Sequence, residues 1–438
     1  MPFFTTIEHA GLSDVGSKRS HNQDAFFVQK ASDRAHWEKV GHLYIVADGM
    51  GGHAVGEKAA AKAVQEIPLT FVKHVQDGPV AALRRAFQEA NAGIHAIGTS
   101  NPEFKGLGTT ATGLVVREEG AWIGHVGDSR AYRIRDNQIQ QLTYDHSYAW
   151  EMAKRLGIPP EELGDIKKNV IVRSLGPDPL VQVDVEGPYP LIEGDSFVLC
   201  SDGLSNLVQP EEIGAVIGVM PIEEAAKFLI DLANLRGGPD NITVIIVRVS
   251  STKDSMVNQS VSGPTVFRGI ASLIAKYNRL VPWPITVLSL GVVLAVGFIV
   301  CMLNGMQSIG YPLFAGAALS IIGGMIGLFV NNQREQNQPP TVEEQPTRAS
   351  VYRQYPIRID AGVVERTQNL AKQLKEHAEA KGVRVDWANF KAQLDMSAKA
   401  GSEGDFIAAY RCACRGLGKI AAGVLAQRPK DESFKPRW

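Results

Sequence analysis

Four aspartates occupy the same kind of place in this chain. Asp48 closes the apolar run Tyr44-Ile45-Val46-Ala47 and precedes Gly49-Met50-Gly51-Gly52. Asp128 follows Ala121–Val126 through Gly127, and Asp202 follows Phe197–Cys200 through Ser201. Asp240 lies in Gly237-Gly238-Pro239-Asp240-Asn241, directly ahead of Ile242–Val249. Short apolar runs read as buried strands, and glycines let the chain turn at their ends. Taken singly, Asp48 could equally cap the helix that begins near Ala54. The recurrence changes the reading. In an antiparallel sheet the end of one strand lies beside the start of its neighbour, so all four acids can converge on one rim. Unpaired carboxylates packed together repel, and a multivalent cation resolves the repulsion. All-oxygen ligands favour Mg or Mn over Zn. Two such ions sharing a bridging aspartate suit the attack of water on a phosphate ester.

The elements that must position these acids fill residues 1 to about 250. Strands alternate there with two clear helices, Ala54–Ile67 and about Pro79–Ile97. The second carries Leu83, Ala86, Phe87, Ala90, Ile94 and Ile97 on one face. This mixture predicts an α+β layered domain.

The whole chain has 438 residues, room for two or three domains. Lys plus Arg nearly balance Asp plus Glu, for a net charge of −1, so bulk electrostatics do not favour nucleic acid. Four cysteines are too few for a disulfide scaffold. Cys200, Cys301, Cys412 and Cys414 read as reduced, structural thiols. The N-terminus carries Glu8, Asp14 and Lys18 without an apolar stretch, unlike a secretory signal.

Residues 251–280 read as a linker. Within 281–330, Ile285–Leu303 and Ile309–Val330 run 19 and 22 residues without a charge. At 1.5 Å rise per residue, each can cross a hydrocarbon layer of about 30 Å; a pair of buried core helices is the alternative. Only Asn304–Ser308 joins them, so they predict a transmembrane hairpin. Lys276, Arg279 and Arg334 flank it, which places both ends in the cytoplasm by the positive-inside rule. Residues 331–350, rich in Asn, Gln, Pro and Glu, form a second linker. Three amphipathic stretches in 351–438 predict a small helical module without catalytic groups. It reads either as an interaction module for an unknown protein or as a tail covering its own apolar faces. The linkers on each side predict that it is mobile.

With these residues in hand, the first 250 positions resemble the metal-dependent type 2C serine/threonine protein phosphatases, in a bacterial form. The likeness rests on Arg19 with Asn22-Gln23-Asp24-Ala25; Ala47-Asp48-Gly49-Met50-Gly51-Gly52; Gly108-Thr109-Thr110; Gly127-Asp128-Ser129-Arg130; Asp145-His146-Ser147; Arg173-Ser174-Leu175-Gly176; Ser201-Asp202-Gly203; and Asp240-Asn241. Each is weak alone, and their order is specific.

The resemblance implies a four-layer αββα sandwich of two antiparallel sheets flanked by helices. It implies that Asp48 bridges two Mn2+ or Mg2+ ions, with the Gly49 carbonyl on one and Asp202 and Asp240 on the other. Asp24 would hold water in the second shell. Asp128 with Asp202 would form a third, weaker metal site, unless Asp128 is a turn residue paired with Arg130. Arg19 would grip the substrate phosphate, as a guanidinium fork suits, unless it is a surface cation beside Lys18. Asp145 could cap the helix before Ser147–Leu156, and His146 and His53 receive no catalytic role. Two departures stand out. Gln23 replaces a common glutamate, and Met50 stands where animal enzymes have a histidine proposed as general acid. The expected function is hydrolysis of phosphoserine and phosphothreonine on proteins, opposing a serine/threonine kinase at the cytoplasmic face of the inner or plasma membrane. A catalytically silent membrane scaffold that binds phosphoproteins is the alternative.

Overall fold

The apolar runs become strands buried on both faces. The computed structural model describes residues 7–51, 55–163, 170–250, 283–303, 311–318, 320 and 353–427. One sheet runs in the order β1 (Ile7–Asp14), β11 (Ile242–Val249), β10 (Ser196–Cys200), β7 (Arg130–Arg135), β8 (Gln138–Gln141) and β12 (Gln354–Pro356). The other runs β2 (Asp24–Gln29), β3 (His42–Met50), β5 (Ala111–Arg117), β6 (Gly120–Val126) and β9 (Asp184–Tyr189), with β4 (Gly108–Thr109) paired to β3. Every pairing among these strands is antiparallel. Short helices α1 (Arg34–Lys39), α4 (Tyr148–Leu156) and α5 (Asp202–Ser205) lie in the connections.

The period-2 alternation of side chains sorts each strand between two cores. Tyr44, Val46, Leu114 and Ile123 meet Phe197, Leu199, Ile245 and Val247 between the sheets. The alternate residues Leu43, Ile45 and Ala47 turn to α2 (Val55–His74) and α3 (Pro79–Ser100). On the far side, Val198, Cys200, Val244 and Ile246 turn to α6 (Pro210–Val219) and α7 (Ile222–Leu235). The result is the expected αββα order. Gly113 and Gly124 face each other across β5 and β6, and the Phe87 ring of α3 lies over both. A Cβ on Gly124 would stand 3.0 Å from that ring, so this glycine keeps the slot open.

Several boundaries differ from the sequence expectation. α2 runs 20 residues, through Pro68 to His74. Ile67, Pro68 and Phe71 are all buried, so packing carries the helix past a residue that lacks a donor. Asp48 lies inside β3 rather than after it, and Asp24 opens β2. The acids therefore come from both sheets, and the rim belongs to the sandwich rather than to a single sheet.

The chain divides into two compact units, residues 1–255 with 348–438, and residues 256–347. In the second unit, α8 (Trp283–Leu303) is a 21-residue helix over the first predicted span. Residues 311–318 are also helical, and the rings of Phe298 and Phe314 meet at 5.2 Å, so the two segments pack against each other. Among the described residues no helix is long and apolar enough to cross a membrane. Most of the second predicted span, both predicted linkers and His53 fall outside the described residues.

The three C-terminal stretches form α9 (Ala361–Ala380), α10 (Trp387–Ser402) and α11 (Phe406–Ala426). They are not a mobile tail. α11 packs on α6 and α7, and Tyr410, Leu417 and Ile420 share one buried cluster with Phe228, Leu229 and Val216. Arg415 adds a bidentate ion pair to Glu224 at 2.7 and 2.9 Å. The expectation failed because amphipathic spacing shows that a face is buried and does not say against what.

Candidate active site

Asp24 and Asp48 are opposite partners in the β2–β3 register. Asp24 Oδ2 accepts hydrogen bonds from Ser201 Oγ and Thr243 Oγ1 of the other sheet, both at 2.7 Å. Asp24 Oδ1 is buried and has no hydrogen-bond partner among the described residues. The backbone of Asp48 is clamped by the Gly-Thr-Thr segment. Its N–H donates to Thr110 Oγ1 at 3.0 Å, and its carbonyl accepts from Thr110 N at 2.8 Å and Thr109 Oγ1 at 2.9 Å. Beside it the backbones crowd: a Cβ on Gly49 would stand 2.2 Å from the Gly56 carbonyl oxygen. Only glycine allows that approach.

Asp202 sits at the first turn of α5 and accepts from Asn206 Nδ2 at 3.1 Å. Asp240 accepts from the Asn241 N–H at 2.9 Å and from Arg19 Nη2 at 2.8 Å. Asn241 stitches the loop that carries Arg19 to this strand. Its Nδ2 donates to the Val15 and His21 carbonyls, and its Oδ1 accepts from the Gln23 N–H. Arg19, expected to meet a phosphate, is thus exposed and paired to one of the rim acids.

Asp128 is buried, and its Oδ1 also has no hydrogen-bond partner among the described residues. The expected alternative, pairing with Arg130, does not occur. Arg130 ion-pairs with buried Asp145 at 2.7 Å, and that pairing also takes Asp145 away from helix capping. The α4 cap is Ser147, which accepts from Trp150 N. His146 Nδ1 accepts from the Gly127 N–H at 3.0 Å, and its Nε2 meets Asp184 at 3.0 Å and Arg173 Nη1 at 2.9 Å. His146 therefore fixes the turn that presents Asp128. Burial pushes Asp184 up, but the His146 hydrogen bond and the nearby Arg173 outweigh it and hold it at about 2.

The electrostatics follow from this convergence. Burial first, then Asp24, Asp202, Asp128 and Asp240, push the Asp48 carboxyl well above the usual carboxylate range. Burial pushes Asp24 up to about 7, against the hydrogen bonds of Thr243 and Ser201, with Asp202 and Asp240 adding to the rise. Burial with Asp202 and Asp145 pushes Asp128 up to about 8, while Arg130 opposes. Asp202 is raised by burial and then by Asp240. Asp24, Asp48, Asp128, Asp202 and Asp240 thus sense one another although up to about 200 residues apart in sequence. Among the described residues no three His, Cys, Asp or Glu side chains stand closed around an ion position. The donor set still fits hard divalent cations. It is all oxygen, it has excess negative charge, and it keeps two buried carboxylate oxygens free of hydrogen bonds.

Sequence reading singled out the five aspartates and Arg19. It gave no role to Thr110, Ser201, Thr243, Asn241 or the Asp145–Arg130 pair. The motifs holding most of them were visible, but not the cross-sheet contacts that explain them.

Comparison with known proteins finds relatives along the first half of the chain. The family profile described as protein phosphatase 2C matches residues 16–234. Protein phosphatase PhpP of Streptococcus pneumoniae is 36% identical over 250 residues, covering 56% of this chain and 98% of that protein. The crystal structure of the Mycobacterium tuberculosis serine/threonine phosphatase PstP/Ppp aligns with TM-score 0.50 at 31% identity, covering 56% of this chain and 99% of that one. Stp1 from Staphylococcus aureus, a serine/threonine phosphatase, aligns with TM-score 0.50 at 30% identity over 57% of this chain and 98% of its own.

Proposed function

This chain belongs to the protein phosphatase 2C family, and from that premise we propose that it hydrolyses phosphoserine and phosphothreonine on proteins with bound Mn2+ or Mg2+. One observation carries the reading: five carboxylates from two sheets meet beside one exposed guanidinium, with buried oxygens left open. Asp48, the Gly49 carbonyl, Asp202 and Asp240 would hold two ions, and Asp128 with Asp202 a third. When bound, such ions lower the pKa of water and neutralise charge that develops on phosphate oxygens.

The chain's own groups do the rest. Arg19 exchanges its Asp240 partner for the non-bridging oxygens of the substrate, where two parallel N–H donors match the phosphate. Asp24 is held from behind by Ser201 and Thr243, so its free Oδ1 can accept a hydrogen bond from water in a fixed direction. Among the described residues the rim serine that meets a carboxylate, Ser201, is fully buried with its hydroxyl held by Asp24, so water attacks directly and no phospho-enzyme forms. Met50 offers no proton to the leaving group.

We place the enzyme at the cytoplasmic face of a membrane, opposing a serine/threonine kinase. The support is the uncharged stretches 285–303 and 309–330 with their basic flanks. Retention in the membrane fraction after carbonate washing checks this, and release by the wash refutes it. The silent-scaffold alternative leaves the retained carboxylates without a purpose.

The activity test is turnover of a phosphoserine peptide in Mn2+, with and without chelator, by wild type and Asp202→Asn. Turnover that survives both chelation and the substitution would sink the reading.

A further inference from the structure

The edge strand β12 lies more than a hundred residues beyond the stretch matched by the family profile. It pairs antiparallel with β8, Gln354 opposite Gln140 and Pro356 opposite Gln138. The Gln141 N–H donates to the Arg353 carbonyl at 2.9 Å, and the Ile357 N–H donates to the Asn137 carbonyl at 2.8 Å. β12 therefore covers the edge of β8 along its full length.

The Arg353 side chain reaches further, toward the catalytic rim. Its Nη1 donates to the Thr143 carbonyl at 2.8 Å, and its guanidinium stands 5.8 Å from the centre of the Tyr144 ring. Gln141 Nε2 donates to that same carbonyl at 3.0 Å and to Asp145 Oδ1 at 2.8 Å. Asp145 in turn holds Arg130. Arg130, Asp145, Asp128 and Asp202 line one polar cavity of about 180 Å³. The Arg353 Nε is buried and has no hydrogen-bond partner among the described residues.

We propose that Arg353 is a positioning residue for the phosphatase centre: it fixes the segment from Gln141 to Asp145, so that Asp145 holds Arg130 beside Asp128 and Asp202. The role rests on the phosphatase reading and extends the working unit to a C-terminal residue outside the matched stretch. Arg130 lines the same cavity as these two acids, so its placement sets the charge balance of their part of the rim. A loosened Gln141–Asp145 segment lets that balance drift without removing any candidate metal ligand.

The test uses the full chain with Mn2+ and compares wild type, Arg353→Ala, Arg353→Lys and, as a control on the same module, Glu224→Gln. Arg353→Ala is expected to lower kcat on a phosphoserine peptide about fivefold, below the range for direct partners of metal ligands, with KM changed less than about twofold. Amide hydrogen exchange over residues 142–148 should rise at least about threefold, because a local opening is made easier. Arg353→Lys should recover part of both, and Glu224→Gln should leave both at wild-type values. Wild-type kcat and exchange in Arg353→Ala overturn the proposal, as does a loss of kcat that only tracks global unfolding. Should Arg353→Ala fail to fold, the same two measurements on Arg353→Lys decide. A wild-type chain inactive on the peptide refutes the phosphatase reading instead, and the exchange result still decides whether Arg353 holds this segment.

Discussion

The acidic rim and the docked C-terminal helices are built on opposite principles. In the helices the levels agree, apart from the buried Gln393 Oε1, which has no hydrogen-bond partner among the described residues. Asp360, Asp386 and Asp405 each cap a helix by accepting a backbone N–H at 2.9–3.1 Å. The buried Ser397 hydroxyl is satisfied by Gln368 and by the Ala409 carbonyl. Tyr410, Leu417 and Ile420 fill an apolar cluster. At the rim the levels conflict. Five like charges share partly buried space, and two carboxylate oxygens lack hydrogen bonds. Local consistency gives stability, and local conflict that persists marks the site where a ligand completes the structure. The two regions should therefore respond to substitution with opposite signs.

The largest effect is expected for Asp48→Asn. Turnover of a phosphoserine peptide in Mn2+ should fall by about 10³-fold or more, since several kcal/mol of charge stabilisation are lost. The same substitution should raise the metal-free melting temperature by about 2–4 °C, because one repelling charge is gone. A lower melting temperature would break the contrast, showing that the Asp48 charge does not burden the fold.

Leu417→Ala should do the reverse. It should cost about 2–4 kcal/mol in denaturant unfolding, from lost burial plus a cavity. The cost should be the same with and without Mn2+. A change under about 0.5 kcal/mol would mean that the module contributes little to the unit it packs on.

The pH dependence sharpens the comparison further. The rim carboxyls are raised in the folded state, Asp24 to about 7 and Asp128 to about 8. Between the unfolded carboxylate value near 4 and those values, the folded chain holds more protons than the unfolded one. Stability must then fall as pH rises through this window. Metal-free protein should lose several kcal/mol between pH 5 and pH 8, about 1.4 kcal/mol per pH unit for each carboxyl that still holds its proton, with a shallower slope in Asp128→Asn. Bound Mn2+ should flatten or reverse the slope, because ligands must lose protons to bind. A metal-free slope of zero would mean that the acids do not share charge.

The smallest effect is expected for Glu224→Gln. Both ends of the Arg415–Glu224 pair are more than one-third exposed, so its loss should cost less than about 1 kcal/mol in the same unfolding assay.

The sequence by itself determined where the buried strands and the acids at their ends lie, while the αββα order came with the family resemblance. Apolar runs of strand length, broken by Gly and Asp, predicted buried strands, and Asp48, Asp128, Asp202 and Asp240 were legible because each ends or precedes such a run. These signals are local, set by side-chain period and backbone freedom. The tertiary structure decided what depends on pairing between distant segments. It put the acids on the rim of two sheets, turned Arg130 from Asp128 to Asp145, and paired Arg19 with Asp240. It also laid Gln354–Pro356 along β8 and α11 along α7. A strand edge accepts any extended segment that reaches it, and an amphipathic face accepts any complementary surface. Which partner wins is settled by the free energy of the whole assembled fold, and the period of one segment does not carry that information.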